Sequence, residues 1–166
     1  QLLEKNINSP VTTSAGRLFD GISAIIGIRD TANYEAQAAM ELEFAADDFK
    51  TNEYFSFSIE GSGDSLIFNW EEMIKGIVAD LNESVPKGKI AAKFHNTLAE
   101  AIVQIAQRLK YSKVILTGGC FLNKYLLEKS INRLTEEGFK VYTQQRVPSG
   151  DGGISLGQMK YSTYIN

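Results

Sequence analysis

The sequence contains few of the residues from which disulfides, zinc sites and histidine-based catalysis are built. Its 166 residues include one cysteine, Cys120, and one histidine, His95. A single cysteine excludes an intramolecular disulfide and an all-cysteine zinc site, and a single histidine excludes catalysis by a histidine pair within this chain. We therefore expect a reduced, cytoplasmic setting.

Long apolar runs and a strong excess of one charge are also absent. No stretch approaches the ~20 apolar residues that cross a bilayer, so we predict no membrane span. The net charge of -3 gives no electrostatic case for nucleic-acid binding. Residues Gln1–Asn6 lack the features of a secretory signal, and a first residue other than methionine suggests a piece of a longer chain.

Hydrophobic spacing predicts helices and a hairpin in the first half. Apolar residues three and four apart predict a first helix with Thr13–Ser14 as its polar cap and a second helix over 34–46. Alternation over 54–59, turn chemistry at 61–64 and renewed alternation at 66–68 predict an antiparallel hairpin.

Two helices and a βαβ unit are predicted next. One helix covers 70–81, and after Pro86 a long one covers 90–109, packed against a sheet through a buried stripe: Ala91, Phe94, Leu98, Ile102, Ile105 and Leu109. Strands at 114–116 and 139–143 flank another helix and are predicted to be parallel. We predict an α/β fold with one mixed sheet flanked by helices.

Two glycines, Gly118 and Gly119, follow the first strand of that unit. Ligands gather at the carboxyl ends of such strands, glycine lets backbone approach a phosphate, and a helix N-terminus offers N–H groups to an anion. A tight turn without a ligand is the alternative, and no Gly-Lys-Ser/Thr follows to make a P-loop.

Several polar residues have a functional and a simpler interpretation. Asp151 opens the final helix and either binds a metal or ribose or caps that helix. Asp20 lies in an apolar helical stripe, where ribose hydroxyls or solvent are its possible partners. Glu35 opens the predicted second helix, where the helix dipole favours it. We interpret His95 as a satisfied or surface histidine and Cys120 as a packing residue.

Five segments, in this order, resemble the C-terminal part of the HypF carbamoyltransferases, which mature [NiFe] hydrogenases. The segments are Thr13–Asp20, Tyr34–Ala39, Phe94–Thr97, Thr117–Asn123 and Pro148–Gln158. The resemblance covers nearly the whole chain. It implies that residues 1–166 form a single domain, the second lobe of the actin/hexokinase-like (ASKHA) fold of a TsaD-like module.

The resemblance also implies an activity. HypF makes carbamoyl-adenylate from carbamoyl phosphate and ATP, and its TsaD-like module passes the carbamoyl group to the C-terminal cysteine of HypE for cyanide ligand synthesis. By position, Gly118 and Gly119 match the loop at the nucleotide phosphates, and Asn123 matches a nucleotide contact. Asp20 matches the acid that binds ribose hydroxyls, with Glu35 a weaker candidate.

The resemblance assigns Asp151 as a ligand of a divalent metal, iron or zinc, shared with a missing N-terminal lobe. The family's histidine pair and its second glycine loop belong to that lobe, so we expect this chain to be inactive alone. Ala36 stands where a glycine is common. The alternatives are an O-carbamoyltransferase or threonylcarbamoyl transferase lobe and a non-catalytic module that binds nucleotide or self-associates.

Overall fold

The computed structural model describes residues 12–63 and 65–165. Residues 1–11, residue 64 in the predicted hairpin turn and residue 166 lie outside the described residues. The described part contains α1 (Ala15–Ile26), α2 (Gln37–Asp47), β1 (Ser58–Ser62), β2 (Ser65–Asn69), α3 (Glu71–Asn82), α4 (Lys87–Leu109), β3 (Lys113–Leu116), α5 (Lys124–Glu136), β4 (Lys140–Thr143) and α6 (Ile154–Ile165). None of these helices is long and apolar enough to cross a membrane.

The predicted α/β class is confirmed, but the strands do not form one mixed sheet. Among residues 12–63 and 65–165, β1 pairs only with β2, antiparallel, and β3 pairs only with β4, parallel. Local alternation specifies each pairing and carries no information about whether the two pairs join. β1 also begins late, because the Phe55 N–H donates to Thr97 Oγ1 on α4 (2.9 Å) instead of to a strand.

The first two helices begin where local chemistry allows. Ser14 caps α1 as predicted, with its Oγ accepting from the Arg17 N–H at 3.4 Å. α2 begins at Gln37, three residues later than predicted, because Ala36 has a left-handed backbone with a φ of 60°. Glu35 therefore lies in the turn before α2 and does not open that helix.

The long helix α4 lies at the centre of the fold. Its first half is buried on nearly every side between α2 and α5. Gly88 permits the close approach to α2, since a Cβ there would overlap the Phe49 ring and the Ala45 carbonyl. The second half packs on β3 and β4, as predicted, around Val103 and Ala106.

One residue of the predicted buried stripe is misplaced. Leu109 is exposed in the last turn of α4. It borders an apolar groove of about 370 Å³ with Tyr111 and Ile115, which are also exposed. The period that predicted the stripe continues to the helix end, whereas the core does not.

Candidate functional site

Two loops meet where β3 and β4 end. Because the strands are parallel, the loop that begins at Thr117 and the loop that begins at Gln144 leave from the same edge. The Gly118 N–H donates to the Ser149 carbonyl (2.9 Å), and Gln144 Nε2 donates to Thr117 Oγ1 (2.6 Å). A Cβ built on Gly150 would lie 3.6 Å from the Gly119 Cα. The glycine pair and the segment that carries Asp151 are therefore neighbours.

The backbone conformation requires glycine at position 118 but not at position 119. Gly118 has a φ of 100°, a conformation that strains any other residue. Gly119 has no positive φ, and a Cβ there would meet nothing within 4 Å. Neither the backbone conformation nor the packing of the described residues requires glycine at position 119. Its surface is open to an approaching group.

The N–H groups of this turn supply the open donors. Gly119–Leu122 form a 3-10 turn, in which the Phe121 N–H donates to the Gly118 carbonyl at 3.1 Å. The Gly119 and Cys120 N–H groups have no acceptor within the part of the chain that the structure describes. Adjacent free N–H groups in a turn form a concavity suited to an anion.

The N-terminus of α5 is already occupied, contrary to the sequence-based expectation of free N–H groups there. Glu43 Oε1 on α2 accepts from the Lys124 N–H at 2.7 Å and from the Tyr125 N–H at 3.4 Å. Asn123 Oδ1 accepts from the Leu126 N–H at 2.8 Å. A carboxylate from another helix thus takes the place of an external anion. Sequence reasoning missed Glu43, because 81 residues separate it from Lys124.

Asn123, the predicted nucleotide contact, faces the protein interior. Only 8% of the residue is exposed. Its Oδ1 caps α5, and its Nδ2 lies 3.0 Å from His95 Nε2. Both polar ends of the side chain therefore have protein partners.

The sequence predicts that His95 is either a hydrogen-bonded interior histidine or a surface histidine, and the structure shows the first. It is fully buried, and its Nδ1 lies 2.7 Å from the Ala91 carbonyl, which can only accept. Nδ1 therefore carries the hydrogen, and Nε2 is the acceptor for Asn123. The rings of Phe19, Phe94 and Tyr125 surround it at centroid distances of 5.2 to 5.5 Å. Burial lowers the pKa of His95 to about 4.

Asp20 directly follows Phe19, a member of this aromatic cluster, on α1. Its neighbour Phe19 packs edge-on against Phe94 (5.0 Å) and His95 (5.5 Å), which joins α1 to the histidine next to the glycine turn. The Asp20 side chain is 42% exposed, and its Oδ2 lies 3.6 Å from Arg17 Nη1. An exposed pair of this kind is weak, so the carboxylate is available to another partner.

The other two predicted acidic residues are exposed. Glu35 lies in the turn before α2, and no contact among the described residues joins it to the glycine pair. Asp151 begins the 3-10 turn Asp151–Gly153, next to the glycine loop. Within residues 12–63 and 65–165, no group of three or more His, Cys, Asp or Glu side chains is placed to hold a metal ion.

Comparison with known proteins identifies relatives along almost the whole chain. The family model described as "Carbamoyltransferase, Kae1-like Domain, second subdomain" matches residues 1–158. The chain is 38% identical over 151 residues to carbamoyltransferase HypF of Synechocystis sp., which covers 91% of this chain and 19% of that protein. It is 36% identical over 160 residues to probable carbamoyltransferase HypF of Methanocaldococcus jannaschii, covering 94% and 20%.

Solved structures agree with these relatives. A crystal structure of full-length HypF in the phosphate- and nucleotide-bound form superimposes with a TM-score of 0.87 at 37% identity, covering 99% of this chain and 22% of that chain. HypF of T. kodakarensis superimposes with a TM-score of 0.78 at 28% identity, covering 98% and 22%. The chain thus spans about a fifth of the length of these relatives.

Proposed function

The chain belongs to the carbamoyltransferase HypF family, in which it matches the second subdomain of the Kae1-like domain, and from this premise we propose that it forms one wall of a carbamoyl-transfer cleft. The family and the fold class predicted from the sequence are confirmed. The observation that carries the proposal is the open turn at Gly119 beside the Asp151 segment, with two N–H groups that no described residue accepts from.

The ligand of this turn is the phosphate part of ATP or of carbamoyl-adenylate. The Gly119 and Cys120 N–H groups have no acceptor among residues 12–63 and 65–165, and the missing side chain at Gly119 leaves room for phosphate oxygens to approach. A relative whose crystal structure is described as phosphate- and nucleotide-bound has the same fold at 37% identity, which supports a nucleotide here.

Asp20 is proposed to accept hydrogen bonds from the ribose hydroxyls. Both of its oxygens are acceptors, and among the described residues only the exposed Arg17 competes for them. Glu35 is a second candidate for the same region. We do not propose Asn123 as a nucleotide contact, because its side chain already caps α5 and hydrogen-bonds His95.

The reaction proposed for the whole protein is acyl transfer to a thiolate. The sulfur of the C-terminal cysteine of HypE attacks the carbamoyl carbon of carbamoyl-adenylate, the bond between that carbon and the phosphate oxygen breaks, and AMP leaves with the electron pair. The share of this chain is to bind and orient the nucleotide, and N–H groups at the departing phosphate stabilise its charge. Carbamoyl phosphate and ATP supply the adenylate, and the remaining lobe completes the cleft.

The divalent iron or zinc that the resemblance implies does not fit the described residues alone. Asp151 is a single exposed carboxylate, and no further ligands gather around it in the described part of the chain. A metal bound tightly needs several ligands. Asp151 remains a predicted ligand of a site that another part of the protein completes, and no step is assigned to the metal.

The test is ATP titration followed by ¹H–¹⁵N NMR, which detects weak binding in a chain of 18.4 kDa. Gly119→Val fills the open turn, and we expect it to abolish the ATP-induced shifts of the turn amides. Asp20→Ala removes the ribose contact, and we expect it to weaken binding by about tenfold to a hundredfold, since hydrogen bonds to charged groups contribute about 1.5–3 kcal/mol.

Glu72→Ala is a matched control for the aspartate variant. Glu72 also pairs with a basic residue three positions away on an exposed helix face, in α3, and carries no proposed role. Its ATP affinity is expected to equal that of the wild type. Thermal unfolding verifies that Gly119→Val is folded. The site assignment is wrong when neither Gly119→Val nor Asp20→Ala changes ATP binding.

A further inference from the structure

We propose that His95 is a positioning residue for nucleotide binding: through Asn123 it fixes the orientation of the Gly118–Leu122 turn. This inference rests on the proposed function, because the turn is the phosphate site only if that function is correct. His95 itself is buried and touches no ligand, so its contribution is made through the hydrogen bond between its Nε2 and Asn123 Nδ2 (3.0 Å).

The bonds along this path allow a single orientation of both side chains. The Ala91 carbonyl can only accept, so it requires a hydrogen on His95 Nδ1 and leaves Nε2 bare. The Leu126 N–H can only donate, so it requires the oxygen of the Asn123 amide. The Asn123 NH₂ group is then left to face Nε2. A flipped amide or the other histidine tautomer would break two bonds at once.

The histidine end of the path is rigidly held. His95 is itself fully buried in the first half of α4, and three aromatic rings enclose its imidazole. Its Nδ1 bond is to the preceding turn of the same helix. A group with no free rotation at this place is suited to fix a neighbouring loop.

At the other end of this path, Asn123 is hydrogen-bonded to the turn that carries the Gly119 and Cys120 N–H groups. The Asn123 N–H donates to the carbonyl of Cys120 at 3.3 Å, and the Cys120 N–H is one of the two open groups. The other end of the turn is held by the bond from the Gly118 N–H to Ser149. Loss of the His95 bond would remove the link from Asn123 to α4, and the position of the turn near Cys120 would then depend on the packing of Cys120 and Phe121 against the core.

Two substitutions of His95 distinguish the contribution of its hydrogen-bond acceptor from that of its aromatic ring. His95→Phe keeps an aromatic ring in the cage and removes the acceptor, while His95→Gln can place an oxygen where Nε2 lies. Asn123→Ser removes the other partner of the same hydrogen bond. Serine can still cap α5, but its side chain is too short to reach His95. Ile77→Val, in the core on α3, is the control for a general loss of stability.

The measurement is again ATP titration by ¹H–¹⁵N NMR, at a temperature where each variant is folded. We expect His95→Phe and Asn123→Ser to weaken ATP binding about tenfold, which corresponds to about 1.4 kcal/mol, and to shift the Gly119 and Cys120 amide signals before ATP is added. His95→Gln should bind within about twofold of the wild type, and Ile77→Val should bind like the wild type. If His95→Phe does not fold, Asn123→Ser carries the comparison.

The outcomes distinguish the two levels of inference. If ATP shifts no turn amide in the wild type, the proposed function fails. If the wild type binds and both acceptor-path variants bind equally well, the positioning role of His95 fails while the phosphate site stands. Equal weakening by His95→Gln and His95→Phe, or by Ile77→Val, would also overturn that role, because it would show dependence on packing and not on the acceptor.

Discussion

Acid is expected to destabilise this chain through His95. The ring is fully buried, and its Nε2 already accepts from Asn123. A proton on Nε2 would face the hydrogens of that amide and bring a charge into a largely aromatic cage. Burial accordingly lowers the pKa of His95 to about 4, from an ordinary value of 6.5.

The magnitude follows from the two pKa values. Above pH 6.5 neither the folded nor the unfolded chain binds the proton, and the contribution of His95 to stability is complete. Between pH 6.5 and 4 the unfolded chain binds it and the folded chain does not, so the free energy of unfolding falls by about 1.4 kcal/mol per pH unit. Over the interval of about 2.5 units the loss is about 3 kcal/mol, and below pH 4 it stops growing.

The assay compares urea unfolding of the wild type and His95→Gln from pH 7 to pH 4. Carboxylates whose pKa is lowered by a cation, such as Glu41 beside Arg29, also lose stability in acid, but they do so in both proteins. The difference between the two curves therefore isolates His95. We expect the wild type to lose about 3 kcal/mol more than the variant over this range.

NMR supplies an independent measurement, because His95 is the only histidine in the sequence and its ring signals cannot be confused with others. Those signals should not titrate above pH 5 in the folded chain. Two unfolding curves that stay parallel from pH 7 to pH 4, or a ring that titrates near pH 6.5 while the chain is folded, would refute the reasoning.

Two further predictions concern the fold. Gly88→Ala should lower the free energy of unfolding, measured by urea titration, by about 1–3 kcal/mol, because the new Cβ overlaps α2 at Ala45. The control is Gly157→Ala, whose Cβ meets no atom within 4 Å, and this variant should not be destabilised. A neutral Gly88→Ala would show that α2 and α4 are not so closely packed. Ala36→Gly should raise stability by up to about 1 kcal/mol, because the left-handed strain that it relieves exceeds the stability lost through the larger backbone entropy of glycine in the unfolded chain. A lower melting temperature for Ala36→Gly would contradict that φ.

Some features of the site were predictable because they depend on residues close together in the chain. The Ser14 cap of α1 and the parallel pairing of β3 with β4 follow from spacing over a few residues or from one βαβ unit. The position of Gly118 and Gly119 after β3 follows in the same way. The resemblance to the HypF family rests on segments of four to eleven residues, and the comparisons confirm it.

Other features could not be found in this way, because their partners are distant in sequence. Glu43 reaches the N-terminus of α5 only because α2 and α5 pack on the same central helix. The late start of α2 reflects the conformation of Ala36, which periodicity does not report. The exposure of Leu109 reflects where the core ends, although its helical period continues.

The sequence by itself determined the family, the order of the elements and the glycine turn that follows β3, because local propensity, capping and short segments encode them. The tertiary structure alone decided which polar groups meet. It buried His95 and joined it to Asn123, 28 residues away, and it left the Gly119 and Cys120 N–H groups free among the described residues. The physical reason is that such pairings arise when helices pack and exclude water, and no local pattern specifies which polar atoms then lose their solvent and must find one another.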